Sequence, residues 1–109
     1  MKTGDIVLVP FPFTELFNIK VRPAVVISIT KDKYEDLIVS AISSVLTNSI
    51  SPNEIVLESN SINNLRVKSV IKVDRIVTIK KESVIAMIGK LSESELINFI
   101  SVFKNLVNY

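Results

Sequence analysis

The chain has 109 residues, 48% of them apolar and rich in Ile and Val, with 13 Lys and Arg against 11 Asp and Glu for a net charge of +2. That length fits one domain, expected over residues 1–109, built around one hydrophobic core. With no cysteine there is no disulfide framework and no thiolate ligand or nucleophile, and with no histidine the commonest general acid–base group and metal ligand are absent.

Ile6–Val9 is apolar at every position, as in a strand buried on both faces, and Pro10 and Pro12 are expected to end it because neither donates to a ladder. Residues 10–21 then form a loop, long for a small domain and therefore a place for function. It carries Phe11, Phe13 and Phe17, the acidic Glu15, the basic Lys20 and an apolar group of Leu16, Phe17 and Ile19. Arg22-Pro23 opens the next strand, Ala24–Ile29, and Pro23 holds Arg22 to extended backbone. A guanidinium at a strand mouth builds a poor core but suits phosphate, since it is always charged and its planar fork takes two oxygens.

Leu37–Ile42 follows the polar turn Thr30-Lys31-Asp32-Lys33 and runs into the hydroxyls of Ser43 and Ser44. After the polar connection Thr47–Asn53 comes a short strand, Glu54–Leu57. Ser59–Leu65 reads as a loop or a single helical turn. Ser69–Val73 and Ile76–Ile79 read as two strands meeting at Asp74-Arg75, with Ile85–Ile88 a final short one. Ser92-Glu93-Ser94-Glu95 is a capping box, which closes the first turn of a helix by reciprocal hydrogen bonds. Leu96, Phe99, Ile100, Phe103, Leu106 and Val107 follow at helical spacing as a stripe that docks on a sheet. Five to seven short strands and one terminal helix give an α+β fold, a small curled antiparallel SH3-like β-barrel with a C-terminal helix.

The charge is unevenly spread. Residues 35–62 hold four acidic groups and no basic one, whereas residues 64–81 hold Arg66, Lys68, Lys72, Arg75, Lys80 and Lys81 against Asp74 alone. Two readings fit the basic segment: a footprint for a polyanion, or solvated strand edges whose lysines discourage edge pairing. No apolar run approaches the ~18 residues of a membrane span and the N-terminus has no signal-peptide core, so the expectation is a cytoplasmic protein without a membrane partner.

Taken in order, Gly4-Asp5 with its apolar strand, Arg22-Pro23, Ile38-Val39-Ser40-Ala41-Ile42-Ser43-Ser44, Ser69-Val70-Ile71 through Ile76-Val77-Thr78-Ile79, and Gly89-Lys90-Leu91-Ser92 resemble the MazF/PemK-type toxin endoribonucleases of type II toxin–antitoxin systems. The resemblance spans nearly the whole chain. It implies metal-independent, sequence-specific cleavage of single-stranded RNA with no cofactor. The RNA 2′-hydroxyl attacks the adjacent phosphorus and leaves 2′,3′-cyclic phosphate and 5′-hydroxyl ends. By the same resemblance Arg22 and Ser43 are the catalytic pair, and Phe13, Glu15, Lys20, Ser44, Lys68, Ser69, Asp74 and Arg75 contact RNA. A homodimer and a cognate acidic antitoxin are its implied partners. One departure is clear: many family members have a glycine-rich loop before the Arg-Pro with an acidic or amide residue a few positions upstream. Here Glu15 to Val21 lack glycine, and Phe17 lies near that acidic position.

Plainer roles stand beside these. Arg22 fits a surface ion pair with Asp5 or Glu15, Ser43 and Ser44 fit hydroxyls bonded to their own backbone, and Ser69, Asp74 and Arg75 fit a polar strand turn. Two other classes of function also suit the chain: a non-catalytic nucleic-acid-binding SH3-like barrel module, and an interaction protein whose apolar loop and helix serve assembly.

Overall fold

A computed structural model describes residues 1–11, 20–47 and 49–107. Six strands, β1 (Asp5–Phe11), β2 (Lys20–Ile29), β3 (Leu37–Ser43), β4 (Glu54–Leu57), β5 (Ser69–Ile79) and β6 (Ala86–Lys90), precede the helix α1 (Glu93–Asn105). They form a single curled sheet in the order β4-β5-β3-β2-β1-β6, every neighbouring pair antiparallel. The expected α+β class and the small barrel with its terminal helix are what the chain adopts.

The double-faced apolar pattern of β1 has a direct cause. Ile6 faces one core with Val25, Ile42, Leu57, Ile71, Val73 and Phe99, and the partly buried Leu96, Val102 and Phe103 of α1 pack there. Val7, Val9 and Phe11 face a second core with Ala24, Val26, Leu37, Val39 and Ile79. Alternate residues thus fill opposite sides of the curl, and each fully buried Val, Ile or Phe contributes roughly 1.5–3 kcal/mol. The helix begins at the anticipated capping box: Glu95 N–H donates to Ser92 Oγ and Ser92 N–H to Glu95 Oε1. Its stripe docks as expected through Leu96, Phe99, Phe103 and Leu106, but Ile100 is not among the residues packed on that core, where Val102 stands instead, and Val107, beyond the last turn, is 77% exposed and takes no part.

Pro10 does not end β1. Leu8 pairs with Pro23 and Pro10 with Val21, and the Leu8 carbonyl accepts from the Ile85 amide rather than from β2. Polar groups of one strand residue point to the same side, and Pro10 stands two residues on from Leu8. The missing N–H of Pro10 therefore aims away from β2, beyond the last β6 pair at Ala86, and nothing is lost. The strand continues to Phe11, which is core, and β2 already begins at Lys20. Likewise Ser69–Ile79 is one strand, not two. Its pairing with β3 jumps from Ala41↔Lys72 to Ser40↔Ile76, so Val73, Asp74 and Arg75 bulge out of the ladder. Two bonds hold the bulge: the buried Ser40 Oγ donates to the Val73 carbonyl at 2.9 Å, and the Val73 amide donates to the Asn53 carbonyl at 3.0 Å.

The curl is closed between β4 and β6 by residues 58–65, a loop holding the single helical turn the sequence allowed, with the Asn64 amide donating to the Asn60 carbonyl at 2.9 Å. Asn63, fully buried, accepts from the amides of Asn60 and Leu65 through Oδ1 and donates through Nδ2 to the Glu58 carbonyl. The Lys90 amide then donates to the Ile62 carbonyl at 3.1 Å, and Asn64 Nδ2 to the Ile88 carbonyl at 2.6 Å. Gly89 makes this approach possible, because a Cβ there would lie 2.5 Å from the Ile62 oxygen and 2.6 Å from the Asn63 oxygen.

Candidate functional site

Where this closing segment meets the ends of β2 and β3, the chain leaves a cavity of about 630 Å³, within the range of small-ligand sites. Its apolar walls are Leu8, Val21, Pro23, Ile42, Leu65, Val67 and Ile88; its polar groups come from Arg22, Ser44, Asn64, Arg66 and Ser69. Apolar walls with arginine, serine and asparagine residues among them suit a ligand with flat apolar faces and anionic oxygens.

Arg22 stands near the start of β2, partly buried, and lines this cavity. The surface pairing with Asp5 that its charge allows does not occur. Asp5 is at the other end of β1, since Arg22 is opposite Val9, and Asp5 is buried with Oδ2 accepting from the Lys2 amide at 2.9 Å. Ser43 ends β3. The β2–β3 register pairs Ala24 with Ala41, so Arg22, two residues before the first, and Ser43, two after the second, fall on one face at adjoining strand ends. The Ser43 oxygen accepts from the Val45 amide at 3.1 Å, the local backbone bond expected of a strand-end serine, and that bond leaves its O–H hydrogen to donate. Ser43 is not among the cavity-lining residues, whereas Ser44 is.

The remaining sequence candidates divide. Ser69 lines the cavity, buried, with Oγ donating to the Val67 carbonyl at 2.9 Å, which ties down the start of β5. Lys20 is exposed at the start of β2, two residues from Arg22. Asp74 and Arg75 sit exposed on the β5 bulge, outside the cavity. Phe13 and Glu15, with Leu16, Phe17 and Ile19, lie outside the described residues. Asn64, Arg66 and Val67 line the cavity without being among the sequence candidates. Their signal is the run Asn60-Ser61-Ile62-Asn63-Asn64, whose asparagines favour side-chain-capped turns and left-handed backbone. Asn64 indeed has φ +54°.

The basic segment is partly neutralised by the acidic one before it. Lys68 Nζ lies 3.3 Å from Glu58, Lys72 3.6 Å from Glu54, and Lys81 4.0 Å from Glu35. Lys72 and Glu54 are direct cross-strand partners. Hydrogen bonds from the Ser51 backbone, with smaller help from Lys72, hold the Glu54 carboxyl below its ordinary range. The Thr30 hydroxyl, followed by the Tyr34 and Glu35 amides, does the same for Asp32. Among the described residues no three acidic side chains gather as a metal site.

Comparison with known proteins agrees with this architecture. A family model described as PemK-like, MazF-like toxin of type II toxin-antitoxin system matches residues 2–106. Among solved structures, the chain is similar to an endoribonuclease in complex with its cognate antitoxin from a mycobacterial species. That match has a TM-score of 0.71 and 12% identity, covering 96% of this chain and 92% of the other. It is also similar to the Mycobacterium tuberculosis toxin MazF-mt6, with a TM-score of 0.68, 19% identity and 93% of each chain covered. At these identities the likeness is one of fold. No curated protein sequence matches significantly.

Proposed function

Because the chain belongs to the PemK-like, MazF-like toxin family of type II toxin–antitoxin systems, we propose that it is an endoribonuclease that cleaves single-stranded RNA without a metal ion. The observation that carries the reading is the register that sets Arg22 and Ser43 side by side at adjoining strand ends, on the face opposite Pro23, Ile42 and Ser44, with Arg22 also contributing to the cavity lining. RNA brings its own nucleophile, so the protein has two tasks. It holds the backbone with the 2′-oxygen in line with the leaving 5′-oxygen, and it stabilises the charge that grows on the phosphorane oxygens. Arg22 does the second with a permanent fork of donors. Ser43 adds a hydroxyl donor whose orientation the Val45 amide fixes. The cavity's apolar walls receive an unstacked base, with Ser44 and Ser69 at its polar edge. Lys20 serves as a backbone contact, as does Lys68 once phosphate displaces its exposed partner Glu58, and Asp74 and Arg75, on the bulge, serve only flanking nucleotides.

The working unit of this reading is a homodimer, held in check by an acidic antitoxin that covers Arg22 and the 64–81 segment. Exposed Ile62, Ile85 and Met87, on and around β6, support a further packing partner. Incubating the purified chain with a long RNA tests the reading. Discrete fragments support the ribonuclease, binding without fragments supports a non-catalytic module, and neither supports an assembly role.

A further inference from the structure

Arg66 stands out among the cations of the basic segment. Lys68, Lys72 and Lys81 are each engaged by a glutamate. Arg75 is out on the β5 bulge and Lys80 just beyond the far end of that strand. Arg66 alone of the six both lines the cavity and has no carboxylate within ion-pair distance among the described residues. It is exposed, so it bears no load in the core. Its backbone is nevertheless fixed: Leu65 before it is buried and bonded to Asn63, and Ser69 Oγ ties back to the Val67 carbonyl after it. A charge carried on a held backbone beside a cavity is placed for an anion, with only its side-chain rotamers left to order on binding. Arg22 reaches the same cavity from β2.

We propose that Arg66 is a second phosphate-binding residue, gripping the RNA phosphate next to the scissile one while Arg22 serves the reacting phosphate. This rests on the ribonuclease reading above and adds to it a division of labour between the two guanidiniums. Arg66 positions and does not take part in the bond changes. Its loss therefore weakens binding of long RNA and raises KM, while kcat is retained.

The test is the salt dependence of binding by the full chain. The probe is a labelled mixed-sequence 2′-O-methyl RNA oligomer, which has no free 2′-hydroxyl and cannot be cut by this route. Removing one cation that neutralises a phosphate lowers the slope of log affinity against log salt by about 0.7 for a single strand. Arg66→Ala is expected to lower the slope by that amount, and Arg66→Lys to restore it, because a point charge suffices to hold a counterion's place. Lys80→Ala removes the same charge at the far end of β5 and is expected to leave the slope unchanged. In single-turnover cleavage at saturating RNA, Arg66→Ala is expected to stay within about threefold of wild type. A wild-type slope in a folded Arg66→Ala chain overturns the proposal while the ribonuclease reading stands. So does a slope lowered equally by Lys80→Ala, which marks a diffuse charge effect. A wild-type chain that neither binds nor cuts RNA removes both.

Discussion

Substituting Gly89 by alanine examines how the site is held together. The added Cβ would sit 2.5 Å from the Ile62 oxygen, 2.6 Å from the Asn63 oxygen and 2.7 Å from the Asn63 carbonyl carbon, all backbone atoms that no rotamer change can move. The closing segment must retreat. Overpacking of this kind costs about 1–3 kcal/mol. Retreat also breaks the bonds from Lys90 N–H to the Ile62 carbonyl and from Asn64 Nδ2 to the Ile88 carbonyl, each contributing about 1 kcal/mol. The expected total is roughly 3–5 kcal/mol, a large share of a small domain's stability. In urea, with a slope of about 1.5 kcal/mol per molar, the midpoint should fall by about 2–3 M. Because Asn64 to Val67 wall the cavity, RNA cleavage should drop as well under conditions where the variant is still folded. A Gly89→Ala chain with a midpoint within about 0.3 M of wild type would refute the claim that this backbone contact closes the barrel.

Other outcomes follow from the same geometry. Arg22→Ala should cut RNA cleavage by about 100-fold or more with the fold retained, and Arg22→Lys should recover little, since an ammonium cannot reproduce the fork; single-turnover assays on folded protein read both. Ser43→Ala should cost less, about tenfold, because a neutral donor contributes less than a charged one. Asn63→Ala should destabilise by about 2–4 kcal/mol in urea melts, because the amides of Asn60 and Leu65 and the Glu58 carbonyl lose a buried partner. Glu54 and Asp32 titrate below their ordinary range. Their contribution to stability is therefore complete above about pH 5 and is lost as pH falls through their lowered values. Glu54→Gln should flatten that acid limb in pH-dependent melts. Sedimentation equilibrium should give twice the 12.2 kDa chain mass; a monomer that is active on RNA would remove the proposed dimer.

Much of the fold is legible in the sequence because local patterns and tertiary packing agree. The Ser92 capping box and the stripe of Phe99 and Phe103 mark the helix, and Glu54–Leu57 has the bounds its composition suggests. Sequence and structure part where the deciding fact is non-local. Pro10 reads as a stop, yet its missing N–H faces away from β2; the Asp74-Arg75 step reads as a turn, yet Ser40 and Asn53 hold the bulge within one strand. Of the cavity lining, Arg22, Pro23, Ser44 and Ser69 are legible from residue chemistry and the family resemblance, while Asn64, Arg66 and Val67 are not. Their place in the cavity depends on Asn63 and Gly89 drawing a surface loop against β6, a meeting of segments far apart in the chain. The pairing of basic with acidic segments is equally invisible in sequence, because it follows from the β4–β5 register that sets Glu54 opposite Lys72.

The chemistry of the cut ends tests the central claim most directly. Purified protein is incubated with a long single-stranded RNA in excess chelator, and the fragments are offered to polynucleotide kinase with labelled ATP, with and without prior phosphatase. Attack by the RNA's own 2′-hydroxyl predicts discrete fragments that accept 5′ label without phosphatase and carry 2′,3′-cyclic phosphate at the other end, both lost in Arg22→Ala. Fragments that need phosphatase before labelling, or cleavage that chelator abolishes, would contradict it.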